Sequence, residues 1–125
     1  MDGTLYDAKG KPIAYLEHES ETVIYLWSGH VAANFMGELI YGWNGYHLGW
    51  FSEGVVYDLH GKRVGSLGDK CPRALQPLRP KGAQRTHPPK HERKPEYKRP
   101  DFRPTYGEQD FEEFLKGGLA NSEGK

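Results

Sequence analysis

Six histidines, a single cysteine and three tryptophans are the residues of this chain best suited to chemistry, and their spacing limits what they can do. His30, His47 and His60 stand at three different offsets from the nearby glycines Gly29, Gly45 and Gly61, plus one, plus two and minus one, so no repeat symmetry gathers them. His87 and His91 have the i, i+4 spacing that pairs metal ligands on a helix, but Pro88-Pro89 between them denies the helix. The histidines are therefore read as solvated turn and tail residues, and neither a metal site nor a cofactor is expected. Cys71 precedes Pro72 with no flanking histidine or acid arrangement, and Ser28, Ser52 and Ser66 lie in no nucleophile elbow. Glu17, Glu19 and Glu21 read as an acidic loop in solvent. No catalytic residue is expected, and the chain is read as a protein other than an enzyme.

Two binding chemistries remain. Aromatic side chains at the mouth or axis of a small β-structure can stack a flat ligand, which makes Trp27, Trp43, His47 and Trp50 the candidate ligand-binding set. The competing role for the same aromatics is packing, above all for the tyrosines. Separately, Lys90, Arg93, Lys94, Lys98, Arg99 and Arg103 are interspersed with Tyr97, Phe102 and Tyr106. Cations and rings in one extended segment can follow a phosphate backbone and stack on bases. The segment can instead solvate a linker, lie on an acidic surface of its own chain, or dock as polyproline II on a protein.

The elements that must position these residues are written as one short phrase used four times. Leu5-Tyr6, Ile24-Tyr25, Ile40-Tyr41 and Val56-Tyr57 are each followed four residues after the tyrosine by Gly10, Gly29, Gly45 or Gly61. Four residues beyond each glycine stands Ala14, Ala33, Gly49 or Gly65, and six beyond it Leu16, Phe35, Phe51 or Leu67. The residues around each tyrosine are β-branched or aromatic, and the four ending at each glycine are turn formers, so each copy predicts a β-hairpin. Second turns at His18–Thr22, 36–38, 52–54 and 68–69 lead out of each copy. With no helical period between strands, the sheet is expected to be antiparallel. A position that accepts only Ala or Gly in every copy implies close approach, as at a crowded axis or a strand crossing.

This four-copy unit resembles the four-fold β-flower proteins, small bacterial proteins whose hairpin repeats form petals round an axis. Asn44-Gly45-Tyr46-His47-Leu48-Gly49-Trp50-Phe51 is the stretch most similar to a petal of that family. The resemblance covers residues 4–68, leaves out the tail, and implies a fold and a bacterial origin with no activity or functional residues to carry over. Ala32 and Asn34 depart from the pattern, so an irregular second petal is expected. Tyr6-Asp7-Ala8-Lys9-Gly10 and Tyr57-Asp58-Leu59-His60-Gly61 also look like the Tyr-Asp repeats of large toxin shells, but four such repeats alone would leave exposed sheet edges. A closed ring is the better expectation.

After Leu67 the composition changes. Residues 70–106 hold eight of the nine prolines with basic residues between them, which predicts an extended, mobile segment. Phe111, Phe114 and Leu115 then stand at i, i+3 and i+4 before Gly117, the pattern of a short amphipathic helix that needs a surface to dock on. The expected organisation is a four-hairpin all-β domain over 4–68, an extended Pro/Lys/Arg-rich tail over 69–106 and a helix within 107–118. Formal charge is zero for the chain but −4 over 1–68, +7 over 69–107 and −3 over 108–125, an asymmetry that points to an anionic partner or to self-docking. A domain under 70 residues is only marginally stable alone, so an oligomer or a tail folded onto the repeats is expected. One cysteine, no 20-residue apolar run and no signal peptide predict a cytoplasmic protein without membrane partners. The expected function is a binding or protein-interaction module, probing either a protein partner or another copy of itself; the alternatives are a nucleic-acid accessory protein using the tail and a small-molecule site at the axis.

Overall fold

The computed structural model describes residues 3–120. Eight strands, β1 (Thr4–Tyr6), β2 (Pro12–His18), β3 (Thr22–Leu26), β4 (Val31–Met36), β5 (Leu39–Gly42), β6 (His47–Ser52), β7 (Val55–Tyr57) and β8 (Arg63–Leu67), are followed by a 3-10 turn at Gly68–Lys70 and helix α1 (Phe111–Lys116). Each strand pairs antiparallel with the next, and β8 pairs with β1, so the four expected hairpins close into one eight-stranded barrel. Closure leaves no unpaired strand edge.

The repeat fixes the register. Leu5 faces Ala14, Ile24 faces Ala33, Ile40 faces Gly49 and Val56 faces Gly65, and in every hairpin the register shifts at the following tyrosine. The extra residue feeds a tight turn that ends on a glycine of positive φ: Gly10 at 86°, Gly29 at 99°, Gly45 at 91° and Gly61 at 84°. The second hairpin is as regular as the rest, against the expectation raised by Ala32 and Asn34: Asn34 stands opposite Val23 in the same register that the other copies keep, because the ladder is made by backbone groups that the smaller and polar side chains leave unchanged. The Ala32 carbonyl lies close against Gly118, where a Cβ would stand 2.5 Å from it.

Alternation along the strands divides the side chains into two layers. Leu5, Ile24, Ile40 and Val56 are fully buried in a cluster that also takes in Ala14, Ala33, Phe111, Phe114 and Leu115. Helix α1 thus inserts three apolar side chains into the barrel. A Cβ at Gly65 would meet the Phe111 ring at 2.4 Å, and one at Gly49 would meet the Tyr57 carbonyl at 2.0 Å and the Phe114 ring at 3.2 Å. The small residues of the repeat are therefore required by the helix and by the neighbouring strand's backbone. The axis is crowded, by the repeats' own backbone at Gly49 and by helix side chains from outside the repeats at Gly65 and Gly49.

The Pro-rich segment has no helix or strand over residues 74–103, and against the expectation of a mobile tail it is held on the barrel. It makes a circuit of the barrel, meeting the four hairpin turns in chain order. Amide N–H groups of Gln76, Arg85, Lys94 and Arg103 donate to the carbonyls of Gly10, Gly29, Gly45 and Gly61 at 2.9, 3.0, 2.8 and 2.9 Å. The circuit closes where Arg63 N–H donates to Thr105 and Gly107 N–H to Arg63, a parallel bridge onto β8. Hydrogen bonds to the turns order a chain that could not bury enough apolar surface by itself. We call residues 71–106 the belt.

Candidate binding surface

Between belt and barrel lies a girdle of aromatic side chains. Outward-facing residues pair between adjacent hairpins, Tyr15 with Tyr25, Asn34 with Tyr41 and Trp50 with Tyr57. The belt covers them: Phe102 stacks on Tyr57 with centroids 4.1 Å apart, the Tyr41 hydroxyl donates to the Lys94 carbonyl at 2.9 Å, and His87 sits against Tyr25 and Trp43. The indole N–H groups of Trp27 and Trp43 donate to the carbonyls of Arg79 and Pro88 at 3.0 and 2.7 Å. Buried indoles and phenols need such partners.

The four residues expected to bind a ligand are accordingly inside the wall. Trp27, Trp43, His47 and Trp50 are 6, 6, 2 and 2% exposed. Trp27 borders a cleft of about 270 Å³ and His47 one of about 220 Å³ beside Phe114 and Gly117, while the helix side chains occupy the barrel interior. His47, expected in solvent, lies among Tyr41, Trp50 and Tyr97; its Nε2 bonds the Gly49 carbonyl at 3.0 Å and its Nδ1 the Tyr97 N–H at 2.9 Å. Those two bonds select the neutral ring with the proton on Nε2, and burial holds its pKa below the ordinary range. His87, also expected in solvent, is half-buried and contacts the Tyr25 hydroxyl. Burial, together with the hydrogen bond and charge of Glu19, pushes Tyr25 up to about 12. His18, His30, His60 and His91 are exposed as expected.

The belt's charged side chains lie outside this girdle. All six candidate nucleic-acid residues are exposed, but their engagements differ. Lys90 and Arg93 pair with Glu21, and Arg99 with Glu38 at 2.9 Å. Lys94 Nζ stands 5.2 Å from the centre of the Tyr46 ring. Lys98 and Arg103, together with Arg85, have no ion pair among the described residues. A cleft of about 830 Å³, open to solvent, lies beside Arg103 between the fourth turn (Leu59, His60, Lys62) and the belt (Pro100, Thr105). Of the aromatic partners expected in the tail, Phe102 is committed to Tyr57 and Tyr106 is half-buried beside β8. Tyr97 is 54% exposed, as is Tyr46 on the barrel at 53%.

A sequence signal for the belt exists. Gln76, Arg85, Lys94 and Arg103 stand nine residues apart, three of them followed by proline, and Lys81, Lys90 and Arg99 keep the same interval. It is a second fourfold repeat, one unit per hairpin, in which three residues recur weakly enough to be read as composition alone.

Among the described residues no group of three His, Cys, Asp or Glu side chains is placed to hold a metal ion, and no helix is long and apolar enough to cross a membrane. The family model for the 4-fold beta flower protein matches residues 3–115. That span takes in the belt and most of α1, well beyond the four hairpins that carry the resemblance in the sequence. No curated protein and no solved structure matches the chain.

Proposed function

Since the chain belongs to the 4-fold beta flower proteins, we propose that it is a non-catalytic binding module that engages a polyanionic partner through the outside of its belt. The observation that carries this is the placement of cations on the belt: Lys81, Arg85, Lys90, Arg93, Lys94, Lys98, Arg99 and Arg103 are all exposed, while Trp27, Tyr41, Trp43, Trp50 and Tyr57 beneath the belt are buried. Backbone hydrogen bonds at each turn fix the belt, so its charges are held in place before a partner arrives, which lowers the entropy cost of binding. Zero net charge does not oppose this. At 0.1 M salt, charges are screened over about 10 Å, so a local excess of +7 over residues 69–107 governs approach. A reducing cytoplasm suits a chain whose single cysteine has no thiol to pair with.

Retention on immobilised heparin tests it. The full chain is expected to bind at low ionic strength and to elute as salt rises, because polyanion binding releases counterions. A chain carrying Arg85→Glu, Lys98→Glu and Arg103→Glu, residues with no ion pair among those described, is expected to fold and to elute much earlier. Equal retention of the two chains removes the belt from the account.

A further inference from the structure

Tyr46 and Tyr97 are the exposed aromatic residues among those described, and they come from different parts of the chain, the third hairpin turn and the belt. Three contacts bring the belt around Tyr97 against the turn that carries Tyr46. Tyr97 N–H donates to His47 Nδ1 at 2.9 Å, the Tyr97 ring stacks on the His47 ring with centroids 5.8 Å apart and planes 26° apart, and Lys94 N–H donates to the Gly45 carbonyl at 2.8 Å. One face of Tyr97 is therefore supported by a buried imidazole while more than half of the side chain stays in water. Lys94 Nζ lies 5.2 Å from the Tyr46 ring, and Lys98 follows Tyr97 with no ion pair among the described residues.

The other hairpins do not repeat this. At the positions equivalent to Tyr46 they carry Lys11, His30 and Lys62, and at the belt positions equivalent to Tyr97, Arg79, Pro88 and Tyr106, of which Tyr106 is half-buried. Packing does not account for the departure, because the rings are exposed. A tyrosine whose back rests on another ring and whose front is open is a stacking platform, and lysines beside it suit a phosphate chain. Glu96, next to Tyr97, opposes a continuous phosphate run there and favours a base at Tyr97 with phosphates displaced toward Lys94 and Lys98.

We propose that Tyr46 and Tyr97, with Lys94 and Lys98, form a binding site for single-stranded nucleic acid, in which an unpaired base stacks on the open face of Tyr97 and the adjoining phosphates lie on the two lysines. The site rests on the belt's role as a polyanion surface and adds to it a ligand class, since stacking requires an unpaired base.

Fluorescence anisotropy with a labelled oligothymidylate, a duplex of the same length and heparin as competitor tests the site on the full chain. The expected result is tighter binding of the single strand than of the duplex, with Tyr97→Ala weakening it about tenfold, the loss of one stacking contact, and Tyr46→Ala weakening it less, through loss of the ring beside Lys94 Nζ. Tyr97→Phe, which keeps the ring, is expected to bind as the natural chain does, and thermal denaturation of the alanine variants checks that the belt stays docked. Lys98→Ala is expected to lower the salt slope by about one. Equal affinity for duplex and single strand, or alanine variants that fold and bind unchanged, overturns the stacking site while leaving the belt as a polyanion surface. Retention on heparin with no oligothymidylate binding at low salt overturns the site as well. Loss of both kinds of binding in the natural chain overturns the belt's role together with the site.

Discussion

Each hairpin glycine is required twice. At Gly45 the backbone is at φ 91°, where an L side chain is strained, and a Cβ would stand 2.2 Å from the Glu92 carbonyl of the belt. Gly45→Ala is expected to cost about 1–3 kcal/mol from backbone strain and to lift the belt at that turn, seen as a lower denaturation midpoint and faster proteolysis near Glu92. Buried titratable side chains set the pH limits. Tyr25, raised from 10.0 to about 12, holds its proton where the unfolded chain has already released it, so its contribution is complete below pH 10 and is lost as pH rises toward 12. Tyr41 and Tyr106 are shifted the same way by burial. Spectrophotometric titration of tyrosinate, compared with Tyr25→Phe, checks it. His47 sets the acid side. Its pKa is lowered from 6.5 by burial, so the unfolded chain takes up the proton first and stability falls as pH drops below about 6.5. Protonation also places a hydrogen on Nδ1, which accepts the Tyr97 N–H, and so breaks a belt contact. A chain with His47→Asn is expected to be less stable at neutral pH and to lose this part of the acid slope; an unchanged slope counts against His47 as its source.

Helix α1 shows how an element too short to stand alone is held. Six residues form barely two turns, below the length at which helices persist in water. The Asp110 carboxylate accepts the Glu113 N–H at 3.1 Å at one end, and Gly117 ends the helix at the other. The larger contribution comes from Phe111, Phe114 and Leu115, 1, 5 and 0% exposed, which occupy the space left by Gly49 and Gly65. Phe111→Ala is expected to cost about 3–5 kcal/mol as a large-to-small core change, against about 1 kcal/mol for Asp110→Ala, the loss of a cap. Denaturant unfolding of both variants checks the order; a greater loss for the cap variant places the helix's stability in its backbone instead of its packing. Gly65→Val approaches the same contact from the barrel side, where its Cβ would collide with the Phe111 ring.

At the scale of the whole molecule, belt and helix pack against the barrel, and the three are expected to unfold together. A chain ending at Lys70 keeps every strand pairing but uncovers Tyr25, Trp27, Tyr41, Trp43, Trp50 and Tyr57 and empties the barrel of Phe111, Phe114 and Leu115. A barrel of under 70 residues so exposed is expected to lose its cooperative thermal transition, to bind hydrophobic dyes and to show red-shifted tryptophan fluorescence. An unchanged melting temperature for the shortened chain contradicts this unity. Charge is divided by the same architecture: an acidic barrel carries a basic belt, and only part of the attraction is spent internally, through Glu21 and Glu38.

Local regularity made the hairpins legible. Tyrosine, glycine and the small residue at glycine plus four recur at fixed intervals, because each obeys a constraint, a bulge, a positive φ or a close approach, that acts within a few residues of chain. Closure into a ring followed from the count of copies and the need to hide edges. The sites were less legible, since whether Trp27, Trp43, His47 and Trp50 meet solvent depends on residues about fifty positions away. Proline and lysine gave the belt a disordered composition, and its order comes from carbonyls of the hairpin turns, which no composition records. The sequence by itself determined the repeats, their turns and the charge of each segment. Only the tertiary structure decided which rings are covered and which two, Tyr46 and Tyr97, remain open, because burial is set by what long-range contacts lay over a side chain and not by the side chain's own chemistry.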